Sequence, residues 1–341
     1  MPSGALSDAL ASLAERRDLT PDQMREAMRA LMRGDGGEAE TAAFLTALRV
    51  KGESPAELAA AVEILREHMV PLDAGGRDVV DTCGTGGDGQ GTFNISTAAA
   101  LVVAGCGVPV VKHGNRGVSS ASGSADVLAA LGVKIDPEPK VVQRCLDDAG
   151  FAFCFAPRFH PAMRHVAEVR KRLRFRTIFN LAGPLCNPAR VRRQLLGVGR
   201  PELLDLMADC LGRMGTKCAF VIHATDGLDE VSLGAPTTWR CAGDERPKQT
   251  GVWRPEEFGL GICSAAELRV GSPVASAERI REVLAGKQGP HRDAVLANAA
   301  VALMTARLIL LPKAVAQAAE AVDRGRAQLV LERLVVGSQR D

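Results

Sequence analysis

Gly84, Gly86, Gly87, Gly89 and Gly91 fall within a single eight-residue stretch. They follow a Val-rich run, Asp78-Val79-Val80-Asp81-Thr82, and precede Asn94-Ile95-Ser96-Thr97, which opens an alanine-rich segment. Glycine has no Cβ, so backbone amides in such a loop can turn inward and approach an anion closely. A helix starting just beyond adds free N–H groups and its positive dipole end. A tight strand-to-helix turn needs one or two glycines, so five read as an anion-binding loop. No Gly-Lys-Ser/Thr follows, which excludes a Walker A loop. The spacing also departs from G-x-G-x-x-G with a later acidic residue. Asp88 would repel a phosphate, so it is expected to bond backbone N–H groups or a metal-bound water.

A second loop of this kind runs from Lys112 to Ser124. Lys112 is offered to phosphate oxygens, His113 and Asn115 as polar contacts, and Ser119, Ser120 and Ser124 as the rest of a cradle. Two such loops, each after a strand, argue for a ligand with more than one phosphate. The third element is Asp226-Gly227-Leu228-Asp229-Glu230. Adjacent carboxylates repel, and folding them together is costly unless a cation compensates. Mg²⁺ takes oxygen ligands and bridges to substrate phosphates while keeping waters. Asp229 and Glu230, with the Ser96 hydroxyl, are therefore the magnesium candidates. Alone, the pentapeptide reads as an ordinary acidic turn; the two phosphate loops tip the reading. The fourth element spans His160 to Arg170, where Met163, Ala167 and Arg170 share one helix face. An arginine so presented can fork onto a carboxylate. Spacing alone favours reading Arg170 as one surface charge among Arg164, Lys171, Arg172 and Arg174.

The elements that must position these residues divide into two textures. Residues 5–70 read as four helices and no strands. Thr20-Pro21-Asp22-Gln23 and Ser54-Pro55-Ala56-Glu57 are capping boxes with proline at the first helical position, and Gly34 is a stop signal. From Asp78 onward, short apolar runs (Val108–Val111, Phe151–Phe155, Leu195–Val198, Ala219–Ile222) alternate with helical stretches (Ser124–Leu131, Glu138–Ala149, Pro201–Met214). That alternation predicts an α/β domain with a mainly parallel central sheet flanked by helices. Ligands in such sheets sit beyond the C-terminal strand ends, where both glycine loops fall. Residues 161–195 interrupt the pattern and are expected to return to the helical bundle. The division is thus 1–76 plus the insert 161–195 as the helical domain, and 77–160 with 196–341 as the α/β domain. The stretch 240–275 reads as peripheral hairpins or loops, and Arg292–Leu334 as helices covering the sheet.

Composition narrows the partners. A net charge of +2 over 341 residues gives no global case for nucleic acid, and aromatics at 4% leave few faces for stacking bases. Nine cysteines without C-x-x-C spacing fit buried reduced thiols rather than zinc or disulfides. The first residues lack signal-peptide character, and no apolar run reaches the length of a membrane span. A cytoplasmic enzyme with no nucleic-acid or membrane partner is expected. The bundle is short of core by itself, so it should pack on the rest of the chain, on a second subunit, or both.

Asp81-Thr82-Cys83-Gly84-Thr85-Gly86-Gly87-Asp88, Lys112-His113-Gly114-Asn115-Arg116 and Asp226-Gly227-Leu228-Asp229-Glu230 together resemble, in order, the signature segments of the anthranilate phosphoribosyltransferase family. The resemblance is colinear through Gly289-Pro290-His291-Arg292-Asp293-Ala294-Val295. It implies a small N-terminal helical domain hinged to a large α/β domain, a homodimer formed through the helical domain, phosphoribosyl pyrophosphate as donor, and Mg²⁺. By position it implies donor contacts at Gly84, Gly86, Gly87, Asp88 and Thr92, then at Asn94, Ser96, Thr97, Lys112 and Ser124. Anthranilate contacts are implied at Gly84, His113, Asn115 and His160, with Arg170 gripping the carboxylate and Pro184 lining an aromatic channel. Asp229 and Glu230 are implied as metal ligands. The family commonly has glycine where Arg174 stands, and between the strand-end His and the Asp-Gly segment, where Ala224 and Thr225 intervene here. Two other readings use the same motifs: a pyrimidine nucleoside phosphorylase-like enzyme, and a catalytically silent relative that binds nucleic acid. The acidic pair and His113-Gly114-Asn115-Arg116 count against the first, and the near-neutral charge against the second.

Overall fold

The computed structural model describes residues 4–117, 122–246 and 248–340. The chain opens with four helices, α1 (Gly4–Ala14), α2 (Pro21–Arg33), α3 (Glu38–Lys51) and α4 (Pro55–Glu67). Both expected capping boxes form: Thr20 and Ser54 each accept the backbone N–H three residues on, and Gln23 and Glu57 reach back. Gly34 ends α2 in the left-handed region, at φ +78°. These caps satisfy amides that a helix start otherwise leaves bare.

The remainder alternates: β1 (Val80–Gly84), α5 (Ile95–Gly105), β2 (Val110–Gly114), α6 (Ser124–Ala130), α7 (Pro139–Ala149), β3 (Phe151–Phe155) and the short α8 (Ala156–Phe159). A 3₁₀ turn at Pro161–Met163 leads to α9 (Arg164–Leu173), then α10 (Ile178–Ala182), a second 3₁₀ turn at Gly183–Leu185, β4 (Arg193–Gly197), α11 (Leu203–Arg213) and β5 (Cys218–Ala224). β6 (Thr237–Ala242), β7 (Gln249–Trp253), α12 (Pro273–Leu284), α13 (Pro290–Arg307), α14 (Leu311–Asp323) and α15 (Arg326–Gln339) complete the chain. One seven-stranded sheet runs β3-β2-β1-β4-β5-β6-β7. Its first five strands are parallel. The last two are antiparallel.

Side chains alternate across the sheet as the pleat requires. Val80, Val110, Leu195 and Phe220 face a core shared with α5 and α13. Leu196, Ala219 and Val221 face a core that continues into the bundle through α11 and α4. Helices therefore cover both faces, and the bundle completes its core on the sheet. Among the described residues no single helix is long and apolar enough to cross a membrane. The apolar stretch of α13 is spent in the core, where Val295 through Leu303 are buried.

Two expectations need correction. The insert does not extend to residue 195: β4 begins at Arg193 and lies between β1 and β5. The part that packs back on the bundle ends before β4: α9 lies on α2 and α3, α10 on α3 and α4, and the Pro161–Met163 turn on α2. The stretch after residue 240 is not simply peripheral, because β6 and β7 extend the sheet. Trp239 and Trp253 stack with centroids 5.2 Å apart, and both pack against Phe220. The polar alternation that made this segment look irregular is that of a two-stranded sheet edge with one wet face.

Candidate active site

The site lies where the parallel strands end. β1 and β4 stay paired to their last residues, Gly84 opposite Gly197, and Thr85 donates its N–H to the Gly197 carbonyl at 2.8 Å. A Cβ at Gly84 would stand 2.5 Å from an Asp229 carboxylate oxygen, so glycine there permits the close approach. Gly86, Gly87, Gly89 and Gly91 all have φ between +64° and +81°. The turn therefore needs four of the five glycines for its own conformation, more than the one or two expected. Gly86 donates its N–H to Asp229 Oδ2 at 3.0 Å. Asp88 accepts the Gln90 N–H at 3.2 Å, the expected backbone bond. Thr92 forms an isolated bridge with Arg269, which ties the loop's far end to the segment before α12.

β2 carries Lys112, 2% exposed. Its Nζ donates to the Thr82 carbonyl at 2.5 Å and to Ser96 Oγ at 3.3 Å. Ser96, in the first turn of α5, donates its N–H to Glu230 Oε1 at 3.1 Å. Thr97 is buried, and its hydroxyl lacks a partner. Asn94 precedes α5 and accepts hydrogen bonds from the hydroxyls of Ser122 (2.7 Å) and Ser276 (2.8 Å). Ser124 begins α6, with its hydroxyl 3.5 Å from the Asn115 carbonyl. Ser119 and Ser120 lie outside the described residues.

Asp229 and Glu230 sit half-buried beside these two loops. Burial raises both carboxyls above the ordinary carboxylate range, and neighbouring negative charge raises them further, from Asp88 on Asp229 and from Asp229 on Glu230. Asp226 is used differently: it accepts the Ser232 hydroxyl at 2.6 Å and shapes the turn. The acidic pair and the Ser96 hydroxyl form an all-oxygen donor set beside a phosphate loop, which fits a hard divalent cation. Among the described residues no group of three or more His, Cys, Asp or Glu could enclose a metal. The set is open, as a site sharing its ion with substrate and water would be.

His113 and His160 face each other with ring centroids 4.9 Å apart. Burial pushes His113 down to about 3 and His160 to about 4, so both are neutral near pH 7. His113 Nδ1–H donates to the Gly183 carbonyl at 3.2 Å, and both Nε2 atoms are buried without a partner. Gln194 donates to the Pro184 carbonyl at 2.7 Å and fixes that turn against Cys83. Arg170 stacks on Phe179 of α10, guanidinium carbon 5.1 Å from the ring centre. Burial lowers its pKa. It has no carboxylate partner among the described residues, so a half-buried cation stands beside an aromatic face.

Comparison with known proteins bears directly on this arrangement. Residues 7–69 match the family model described as the helical bundle domain of a glycosyl transferase family, and residues 76–328 match its a/b domain. Anthranilate phosphoribosyltransferase of Thermomicrobium roseum is 51% identical over 319 residues, 92% of each chain. The chain belongs to the anthranilate phosphoribosyltransferase family. A crystal structure of that enzyme from Thermus thermophilus superposes with TM-score 0.92 at 42% identity, covering 98% of this chain and all of the other. The Saccharomyces cerevisiae enzyme in complex with PRPP and Mg gives 0.90 at 29% identity, covering 98% of each. Arg174, where the family commonly has glycine, caps α9 in the left-handed region at φ +55°.

Several residues of this anthranilate phosphoribosyltransferase fold escaped the sequence reading. Arg176 bonds the carbonyls of Thr85 and Gly86. It was hidden in a basic run. Asn187, fully buried, donates to Asp81 Oδ2 at 2.8 Å beneath the glycine loop. Gln194 and Ser276 hold Pro184 and Asn94 from distant elements.

Proposed function

We propose that this chain transfers the phosphoribosyl group from phosphoribosyl pyrophosphate to the amine of anthranilate. The products are N-(5-phosphoribosyl)anthranilate and pyrophosphate, a step of tryptophan biosynthesis. The observation that carries the reading is the fastening of the glycine loop and of the helix start that follows it to one acidic pair, Gly86 to Asp229 and Ser96 to Glu230, with Lys112 of the second segment joining through its bond to Ser96. Residues far apart in sequence converge on the groups that would hold a diphosphate and its cation.

The amine nitrogen attacks C1 of the ribose, the C1–oxygen bond to pyrophosphate breaks, and the nitrogen gives up one proton to water or to the released pyrophosphate. An arylamine is neutral near pH 7 and needs no strong base, so the protein's work is positioning and charge stabilisation. The loop at Gly84, Gly86 and Gly87 meets the diphosphate through amides not already bonded to Asp229, and Lys112, buried on Thr82 and Ser96, supplies positive charge from beneath. Asp88 and Thr92 shape that loop, while Asn94, Thr97 and Ser124 contact the donor's remaining oxygens. Arg170 takes the anthranilate carboxylate, with Asn115, His113, His160 and Pro184 around the ring. Neutral imidazoles there accept hydrogen bonds without adding a cation beside Arg170. Asp229, Glu230 and Ser96 would hold Mg²⁺, which when bound neutralises negative charge on the departing pyrophosphate. The acidic pair, tied to the first glycine loop and to the start of α5, counts against the phosphorylase and nucleic-acid-binding readings. A homodimer formed through the helical domain is part of the proposal, supported by Val50 of α3, 70% exposed in the single chain. A cytoplasmic setting is supported by nine unpaired thiols.

The test is to mix the protein with donor, Mg²⁺ and anthranilate and follow the loss of anthranilate fluorescence. Loss that needs all three components is expected; unchanged fluorescence with folded protein rejects the function.

A further inference from the structure

Arg176 belongs to the short segment between α9 and α10, both of which pack on the bundle. Its side chain crosses to the sheet domain, where Nη1 donates to the Gly86 carbonyl at 2.5 Å and Nη2 to the Thr85 carbonyl. It is half-buried and has no carboxylate partner among the described residues. Arg49 of α3 and Arg200 after β4 stand near enough to repel it, while Asp229 attracts it from the far side of the loop. A guanidinium in that setting would ordinarily seek a carboxylate; this one spends its donors on two backbone carbonyls of the glycine loop.

The geometry of the loop gives those bonds a consequence. A trans peptide points its C=O and N–H in opposite directions. The Thr85–Gly86 peptide has its carbonyl on Arg176 and its N–H on Asp229 Oδ2. The Gly86–Gly87 peptide has its carbonyl on Arg176 too, which turns the Gly87 N–H away from the guanidinium. Gly87 itself makes room for Arg176, because a Cβ there would collide with Nη1. Glycines at positive φ give the loop freedom to flip these peptides: a flipped Thr85–Gly86 peptide would set its carbonyl against Asp229, and a flipped Gly86–Gly87 peptide would aim a carbonyl dipole at the diphosphate.

We propose that Arg176 is a positioning residue for the donor: it holds the Thr85 and Gly86 carbonyls on the bundle side, which keeps the Gly86 N–H on Asp229 and leaves the Gly87 N–H turned toward the diphosphate. It acts from the helical half of the molecule on the sheet half, without touching the donor. The proposal rests on the function given above in one respect only, that this loop binds the diphosphate.

The experiment uses Arg176→Gln and Arg176→Lys in the full chain, with inorganic pyrophosphate plus Mg²⁺ as calorimetric probe. Steady-state kinetics are run alongside. Losing charge-assisted bonds to two carbonyls should weaken pyrophosphate binding and raise the donor KM about 10- to 100-fold in Arg176→Gln. Arg176→Lys should recover part of the loss, while the anthranilate KM and kcat at saturating donor change less than about threefold. Hydrogen exchange at Gly86 and Gly87 in the free protein should speed up. Unchanged pyrophosphate affinity in folded Arg176→Gln overturns the proposal, even if the wild type turns over anthranilate normally. Equal rises in both substrates' KM would also overturn it. Should Arg176→Gln fail to fold, Arg176→Lys carries the same comparison, and an unchanged pyrophosphate affinity there is equally fatal. A wild type that binds pyrophosphate but leaves anthranilate intact rejects the function and leaves this inference standing.

Discussion

The bundle and the cleft each bury charge, and they dispose of it in opposite ways. In the bundle, Glu57 is fully buried. It accepts from Leu19 N–H (2.8 Å), Ser54 N–H (2.7 Å) and Lys51 Nζ (2.8 Å). Lys51 in turn reaches Asp18 at 2.6 Å. In this Glu57–Lys51–Asp18 cluster each charge has an opposite charge beside it. In the cleft, Asp229 and Glu230 share like charge and hold one loop N–H each. Arg170 and Arg176 offer positive charge that no carboxylate pairs among the described residues. Burial costs both regions solvation, but only the bundle recovers it internally. A cluster left with separated like charges has its compensation delivered by ligands, which makes it a functional candidate.

The comparison breaks most visibly at the acidic pair. Asp229→Asn combined with Glu230→Gln should lower Mg²⁺-dependent turnover about 100- to 1000-fold, with no loss of thermal stability. Unaltered metal dependence in steady-state assays would show that the pair is merely an acidic turn. In the bundle the same kind of change should do the reverse. Glu57→Ala strands Lys51 and two amides, and should cost about 3 kcal/mol in urea unfolding while folded protein keeps its kcat. Arg170→Ala should raise the anthranilate KM about 10- to 100-fold, as expected for one lost charge-assisted pair. An increase confined to the donor KM would remove Arg170 from the acceptor side.

A smaller effect appears against pH. His113 and His160 are held near 3 and 4, below the unfolded value of 6.5. As pH falls below about 6.5 the unfolded chain takes these protons first, so stability declines toward pH 4 and is unaffected above pH 7. Replacing both with Asn should flatten that acid limb, by on the order of 4 kcal/mol at pH 5, about 2 from each imidazole. The mildest change is Arg174→Gly. It relieves a left-handed backbone and should stabilise the protein by about 1 kcal/mol, measured as a rise in midpoint with activity retained.

Legibility followed sequence distance. The capping boxes, the glycine stop after α2 and the strand–loop–helix around Gly84 were readable because their partners lie a few residues away. The acidic pair was readable only through its neighbours, since five residues of turn carry no sign of the loops they will meet. Arg176 was unreadable: nothing distinguishes it locally from Arg172 or Arg174, one ion-paired with Glu38 and the other capping a helix. The β6–β7 edge was obscured because strands with one exposed face lack a continuous apolar run. The misplaced boundary at residue 195 has a similar origin, because Arg193 and Gln194 mask the start of a buried strand.

Local chemistry thus settled which glycines could take positive φ, where helices start, and which runs would be strands, because backbone sterics and short-range hydrogen bonds act within a few residues. Folding alone decided that Gly86 meets an aspartate 143 residues away, and that a bundle-anchored arginine holds the same loop from its other side. Those pairings depend on strand order and register, which set β1 against β4 and bring both ends to one edge. The unmatched charges that mark the site exist only once that packing has chosen which groups lose water.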